Sequence, residues 1–436
     1  MFSSRFSVAK SGGISTGLCR LTPENMTRLF SKVGVDTIVF DVQDVGARFY
    51  TFVWTMWDAL VGAAGAATVT KFVVLDRPVL SDNSVTPFVP RICSRTPVNR
   101  LFAPPFEGAD EATHQRPPGA AACGSLFLLT CALLVMTSSH PRPNPVGGVV
   151  IEGPVLEMAF ASFIGRLPIA LRHGMTVGEL ATLFYHVHLD THAQESVSLE
   201  VVQMAGWQRG MHFGDTGLPF VMPSPNMPTV DTALVYPGCG IFEGTTLSEG
   251  RGTTRPFEIV GAAFLDYHFA ADLRLSNQKH ARPSTETHTY RATYFTPTFS
   301  KFVGNLSSGV EIYVNNPKAF TSVDTALEIL LAAKAHSNRG AGAGAWAGAG
   351  GGVGGRTDSG RQSGMRVDVD AAVAAAAGGG AGFAWVDGTG ANFDLHLGNN
   401  STRLAIEAGK SVDEIVAAWA TKLAGWNTIR TKHLLY

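Results

Sequence analysis

The chain has 436 residues, 34 lysines and arginines against 35 aspartates and glutamates, and a formal net charge of −1. That balance gives no basic face for nucleic acid and no attraction to an anionic membrane, so neither partner is expected. The five cysteines, Cys19, Cys93, Cys123, Cys131 and Cys239, form no CxxC pair, which argues against a zinc ribbon and a disulfide framework. Ser125 to Met136 is the most apolar run and is too short to span a bilayer. The opening MFSSRFSVAKSGG lacks an apolar segment of signal-peptide length, so the destination of the protein stays unknown.

In chain order, Thr22 to Val33 predicts a short helix, with Thr22 as N-cap and Pro23 at its first position. Val35 to Phe40 reads as a buried strand, Thr51 to Ala67 as a helix with Trp54, Trp57 and Leu60 inward, and Lys71 to Leu75 as a second buried strand. Two buried strands around a helix make a βαβ unit, and parallel sheets place ligands beyond the carboxyl ends of their strands. Asp41, Gln43, Asp44, Arg48 and Asp76 are therefore candidates, although Asp44 and Arg48 read equally well as a loop ion pair. Val79 to Pro141 breaks the pattern: proline clusters, no periodicity, and Arg-Pro at each border. Glu152-Gly153-Pro154 then opens a loop, and Thr176 caps a helix through Val187, with Glu179 completing a capping box. His173 just before it is either a proton donor, a ligand orienter or a structural histidine. Ser198 to Met204 alternates as a strand.

The stretch from Met222 to Glu258 holds the densest chemistry. Pro223, Pro225 and Pro228 fix φ, and Gly238, Gly240, Gly244, Gly250 and Gly252 loosen the backbone, so almost none of it is expected to be helix or strand. Asn226, Asp231, Glu243, Ser248, Glu249, Arg251, Arg255 and Glu258 lie within it, as a functional loop would have them or as a solvated surface loop would. Cys239 lies there too, without a histidine placed beside it, and reads as a buried inert thiol. Farther on, Ala270 to Gln278 predicts a helix, Tyr290 to Phe299 and Gly309 to Val314 strands, and Val323 to His336 and Val412 to Lys422 helices. The stretch 340–382 is Gly/Ala-rich, as in a flexible insert.

The segments Asp41-Val42-Gln43-Asp44-Val45-Gly46-Ala47-Arg48-Phe49-Tyr50, Leu75-Asp76-Arg77-Pro78, Glu152-Gly153-Pro154-Val155-Leu156, Leu171-Arg172-His173-Gly174-Met175-Thr176, Pro223 to Thr229 and Glu243-Gly244-Thr245 through Glu258 together resemble one family, the NamZ-type exo-β-N-acetylmuramidases. The resemblance implies an α/β fold, with a Rossmann-like parallel-sheet catalytic domain over residues 1–258, interrupted by an anomalous insert at 79–141. A smaller C-terminal α/β domain would cover 259–436 and include the insert at 340–382. It implies removal of N-acetylmuramic acid from the ends of peptidoglycan fragments, hence a muramic-acid-containing saccharide as partner.

Glycoside hydrolysis uses two carboxyl groups flanking the bond. Glu243, Glu249, Asp44 and His173 are the catalytic candidates. Arg48, Arg172 and Arg251 are candidates for holding the lactyl carboxylate, with Tyr50, Glu152 and Asn226 as further sugar contacts. No GxGxxG follows a strand, so no nucleotide cofactor is implied, and no metal is expected. The family's Pro-Glu-His-Gly motif has no counterpart, since Pro23-Glu24 is followed by Asn25-Met26. The opening of the catalytic domain is accordingly expected to be missing, the insert at 79–141 to be translated intron, and the chain to be either a glycosidase or a catalytically impaired sugar-binding relative.

Overall fold

Local caps start the described chain. In a computed structural model that describes residues 22–76, 144–279, 287–340 and 382–436, helix α1 (Pro23–Val33) begins where the Thr22 side chain accepts the Asn25 N–H, and ends at Gly34 with a left-handed φ of 71°. Strand β1 (Thr37–Phe40), helix α2 (Phe52–Ala64) and strand β2 (Lys71–Leu75) follow as the expected βαβ unit. β1 pairs parallel to β2 with Thr37 opposite Lys71, and β2 pairs parallel to β5 (Ser198–Val202), giving the sheet order β1-β2-β5. The expected insert at 79–141 lies outside the described residues, as does nearly all of the Gly/Ala-rich stretch 340–382.

Beyond that gap the Glu152-Gly153-Pro154 segment is not a loop. It forms β3 (Glu152–Val155), antiparallel to β4 (Ala170–Arg172), with an irregular register across Gly153 and Pro154. Helix α3 (Val177–Leu183) has the predicted capping box, in which Thr176 and Glu179 satisfy each other's backbone N–H. Its last turn widens into a π-turn over Phe184–His188. Helix α4 (Thr191–Ser196) leads into β5. Trp54, Phe72 and Phe184 are fully buried with the inner faces of α2 and α3, and Trp426 from the C-terminal helix closes the same core.

A second core is built around α5 (Val230–Cys239) and corrects the expectation that the stretch 222–258 would be irregular. Thr229 caps this helix through the Thr232 N–H, and Pro237 is accommodated within its last turn. The helix then tightens into a 3-10 turn over Gly240–Gly244. β6 (Ile259–Ala262), β7 (His288–Phe295) and β8 (Ser307–Val314) form an antiparallel sheet in the order β6-β8-β7. Helices α6 (Phe269–Lys279), α7 (Ser322–Gly340), α8 (Ala391–Leu397), α9 (Ser401–Glu407) and α10 (Val412–Arg430) complete the described chain.

The end of the chain returns to the parallel sheet. The Tyr436 hydroxyl donates to Asp76 Oδ2 at the end of β2, and the Leu435 N–H donates to Glu179 Oε1. Asp76 also accepts from Thr176 Oγ1 and the Gly178 N–H, so this strand end is filled by protein. Burial, only partly offset by these donors, raises the Asp76 carboxyl to about 6. Among the described residues no helix is long and apolar enough to cross a membrane, and no group of His, Cys, Asp and Glu is arranged to hold a metal ion.

Candidate functional site

The 3-10 turn after α5 and the Gly-rich loop behind it deliver charge into a recess of about 590 Å³, counting its open mouth. Glu243 stands on the turn and Arg251 on the loop. Gly250 and Gly252 adopt φ of 73° and 83° on either side of Arg251, and a side chain on either would strike the Ile259 or Phe299 carbonyl at 2.4 or 2.5 Å. Only glycine permits this close approach, and it fixes where the arginine emerges. Arg251 Nη2 donates to Glu243 Oε1 at 2.5 Å, while its Nε faces Glu249 Oε1 at 3.2 Å. The guanidinium also stacks 4.9 Å from the centre of the Phe257 ring.

Burial alone would raise the Glu243 carboxyl, but Arg251 and then His396 outweigh it and hold it well below the ordinary carboxylate range. Arg251 is pushed upward by the same two carboxylates against the opposing effect of burial. His396, on α8, presents Nε2 to Glu243 Oε2 at 3.6 Å, with its Nδ1 within 2.9 Å of the Asn392 carbonyl. Tyr50 and Tyr236 complete the polar wall. Burial first, then the Asp44 carboxylate for Tyr50 and the Glu243 carboxylate for Tyr236, keeps both phenols far above their usual range, so both stay protonated donors. Ser224 and Asn226 line the mouth, and Phe49, Phe52, Phe163 and Ile164 give it apolar faces. Thr51 and Phe257, both lining residues, hold left-handed φ of 48° and 65°, a strained backbone of the kind that collects at functional sites.

Of the residues singled out by sequence, Glu243, Arg251, Tyr50 and Asn226 line this recess. Glu249 lies one step behind it, 2 % exposed, bonded to Arg251 and to Lys301 Nζ at 2.9 Å. Asp44 and His173 form a buried pair. The Met175 N–H donates to His173 Nδ1 at 3.2 Å, which leaves the ring proton on Nε2, 3.2 Å from Asp44 Oδ2. The same Asp44 oxygen accepts the Gly46 N–H at 2.7 Å. Asp44 therefore acts on the recess through its charge on Tyr50 and Tyr236, not as a lining group.

Arg48, Arg172 and Glu152 are turned inward. Arg48 is fully buried and donates to the carbonyls of Pro154, Ile169 and His396 at 2.8, 3.0 and 3.0 Å. Burial lowers its pKa to about 9. Arg172 pairs with Glu152 and donates to the Phe320 and Val146 carbonyls, and Glu152 accepts the Val323 N–H at the start of α7. These three tie the elements around the site together and are not among the residues that line the recess. His396, Tyr236, Lys301 and the aromatic wall were not anticipated. His396 comes from beyond the Gly/Ala-rich stretch, and nothing local in Asn392-Phe393-Asp394-Leu395-His396 announces a partner at Glu243. Cys239 is buried, and burial pushes its thiol far above the ordinary range, leaving little thiolate.

An α/β chain with an aromatic-walled recess, one ionised carboxylate, one guanidinium and a ring of hydroxyl, amide and imidazole groups defines a site for a small polar ligand. The chain belongs to the exo-β-N-acetylmuramidase NamZ family. The N-terminal family model matches residues 23–88 and 139–231, skipping a stretch inside the expected insert, and the C-terminal model matches 234–436. The chain is 38% identical over 402 residues to the peptidoglycan β-N-acetylmuramidase NamZ of Bacillus subtilis, a match covering 92% of this chain and 68% of that protein. A crystal structure of a DUF1343 family protein from Bacteroides fragilis shares the fold, with a TM-score of 0.59 at 21% identity, covering 98% of this chain and 82% of that one.

Proposed function

We propose that this protein is a glycoside hydrolase that releases terminal N-acetylmuramic acid from peptidoglycan fragments, with the recess around Glu243 as its active site. The observation that carries the reading is the Glu243–Arg251 pair standing in an aromatic-walled recess on a chain of this family. Apolar ring faces suit the C–H faces of a pyranose, while Asn226, Ser224 and the two tyrosines suit its hydroxyl and acetamido groups. Glu243, kept ionised, faces developing positive charge at the anomeric carbon as a nucleophile or an electrostatic stabiliser. His396 and Tyr50 are the lining groups able to carry a proton toward the leaving oxygen.

A second reading is a saccharide-binding protein that does not hydrolyse. It is favoured by one feature: Glu243 is the single carboxyl among the described residues lining the recess, and its depressed pKa leaves none of these as a carboxylic acid to protonate a leaving group. The full chain should be assayed with a chromogenic N-acetylmuramide, and its binding of N-acetylmuramic acid followed by calorimetry. Turnover with binding supports the hydrolase. Binding without turnover selects the second reading, and failure of both removes the recess as a saccharide site.

A further inference from the structure

Lys301 is an unusual neighbour for an active-site loop. It is 6 % exposed, yet it carries an ammonium, which must be paired to be buried. Its Nζ donates to three acceptors: the Phe242 carbonyl at 2.7 Å, the Leu247 carbonyl at 2.8 Å and Glu249 Oε2 at 2.9 Å. Those are all the donors an ammonium has. The acceptors lie immediately before Glu243, two residues before Glu249, and on Glu249 itself. One group therefore grips both ends of the turn that carries the two carboxylates.

The chain holds Lys301 there against its own backbone preference. Ser300 and Phe302, on either side, have left-handed φ of 72° and 55°, conformations costly for residues with a Cβ. The loop is further anchored where the Thr298 N–H and hydroxyl both donate to the Gly252 carbonyl, beside Arg251.

We propose that Lys301 is a positioning residue of this site: by clamping the Glu243–Glu249 turn and occupying one oxygen of Glu249, it keeps Arg251 shared between two carboxylates and Glu243 aimed into the recess. Charges alternate along the row Lys301, Glu249, Arg251, Glu243, with His396 and Tyr236 facing Glu243 from the other side. Without the ammonium, Glu249 has only Arg251 to neutralise it and draws the guanidinium away from Glu243. The inference rests on reading the recess as the active site, but the clamp itself is testable without turnover.

The test is a carbon-13 NMR titration of the Glu243 side-chain carboxyl in the full chain, its signal assigned by its loss in Glu243→Gln. Lys301→Met is expected to raise the Glu243 midpoint by at least one pH unit, a tenfold weaker hold on the ionised form, and to lower muramide turnover with an acid limb shifted upward by the same amount. Glu249→Gln is expected to move the midpoint the opposite way or leave it depressed, because Arg251 then serves Glu243 alone. A purely structural role would cost stability in both variants while leaving the midpoint of Lys301→Met where the native one is. Lys301→Arg retains the charge but not the compact three-way grip, and covers the case in which Lys301→Met does not fold; it should raise the midpoint by a smaller amount. A folded Lys301→Met, or Lys301→Arg in its place, with the native midpoint overturns the proposal. If the midpoint moves but the native chain neither binds nor hydrolyses the muramide, the clamp stands and the functional reading falls. If the native chain hydrolyses it and the midpoint stays, the clamp falls alone.

Discussion

Replacing Arg251 with methionine removes the cation shared by the buried Glu249 and the largely buried Glu243. The side chains of Arg251, Glu243 and Glu249 are 10, 15 and 3% exposed, so water cannot readily take over the pairing. Glu249 keeps Lys301, but Glu243 is left with His396 at 3.6 Å, and the stacking on Phe257 is lost. Breaking a buried pair by removing one partner costs about 3–5 kcal/mol at neutral pH. The pH dependence has a definite sign. In the native chain the Glu243 pKa is depressed below 4.5, so its contribution to stability is present above that value and is lost as pH falls through the folded pKa. In Arg251→Met, burial and Glu249 dominate and the folded pKa rises above the unfolded one, so stability is retained at low pH and lost as pH rises through it. The gap between the two proteins should therefore widen from ~pH 4 toward ~pH 7, and close only where pH falls through the depressed native pKa, below the ordinary carboxylate range. Urea-unfolding midpoints of both proteins across this range test it. A gap equal at both ends, or a variant as stable as the native chain at neutral pH, would refute the reasoning.

Three more outcomes follow from packing and burial. A methyl group at Gly238 would lie 1.9 Å from the Ser322 carbonyl oxygen, so Gly238→Ala should force α5 from α7 and lower the melting temperature markedly, whereas Gly425→Ala, which meets nothing within 4 Å, should not. Cys239 should resist thiol-labelling reagents in the native chain and react once urea unfolds it, as peptide mapping of labelled protein will report; rapid native labelling would contradict its burial. Tyr436→Phe should destabilise by about 1–3 kcal/mol in denaturant unfolding, because Asp76 loses a donor and the Met204 N–H its acceptor. An unchanged midpoint would mean that the tail does not secure the sheet end.

Local signals in the sequence carried much of the fold. Thr22-Pro23, the Thr176–Glu179 capping box and the KFVVL strand each sit where capping chemistry or burial periodicity put them, because each depends on neighbours within a few residues. Helix α5 was hidden for the opposite reason. Its Pro237, Gly238 and following Gly240 argue against a helix locally, and what stabilises it is burial of every residue from Thr232 to Cys239 against distant elements. The site was half legible. Glu243 and Arg251 stood out as charges among glycines, and Tyr50 and Asn226 as polar residues at strand-end and loop positions. Arg48 and Arg172 carry the same chemistry as Arg251 but face inward toward carbonyl oxygens, and direction is not written in residue type. His396 and Lys301 reach the site across 153 and 52 residues of chain from Glu243 and Glu249, contacts that only the folded topology creates.

The functional account rests on Glu243 acting on a muramic acid glycoside in this recess. The most direct measurement incubates the full chain, and separately its Glu243→Gln variant, with a disaccharide bearing N-acetylmuramic acid at the non-reducing end, and follows free N-acetylmuramic acid by mass spectrometry. The account predicts release by the native chain and a loss of at least about 10²-fold in the variant, the order expected when a positioned catalytic group is removed, with saccharide binding retained. No release by the native chain, or release undiminished in Glu243→Gln, would contradict it.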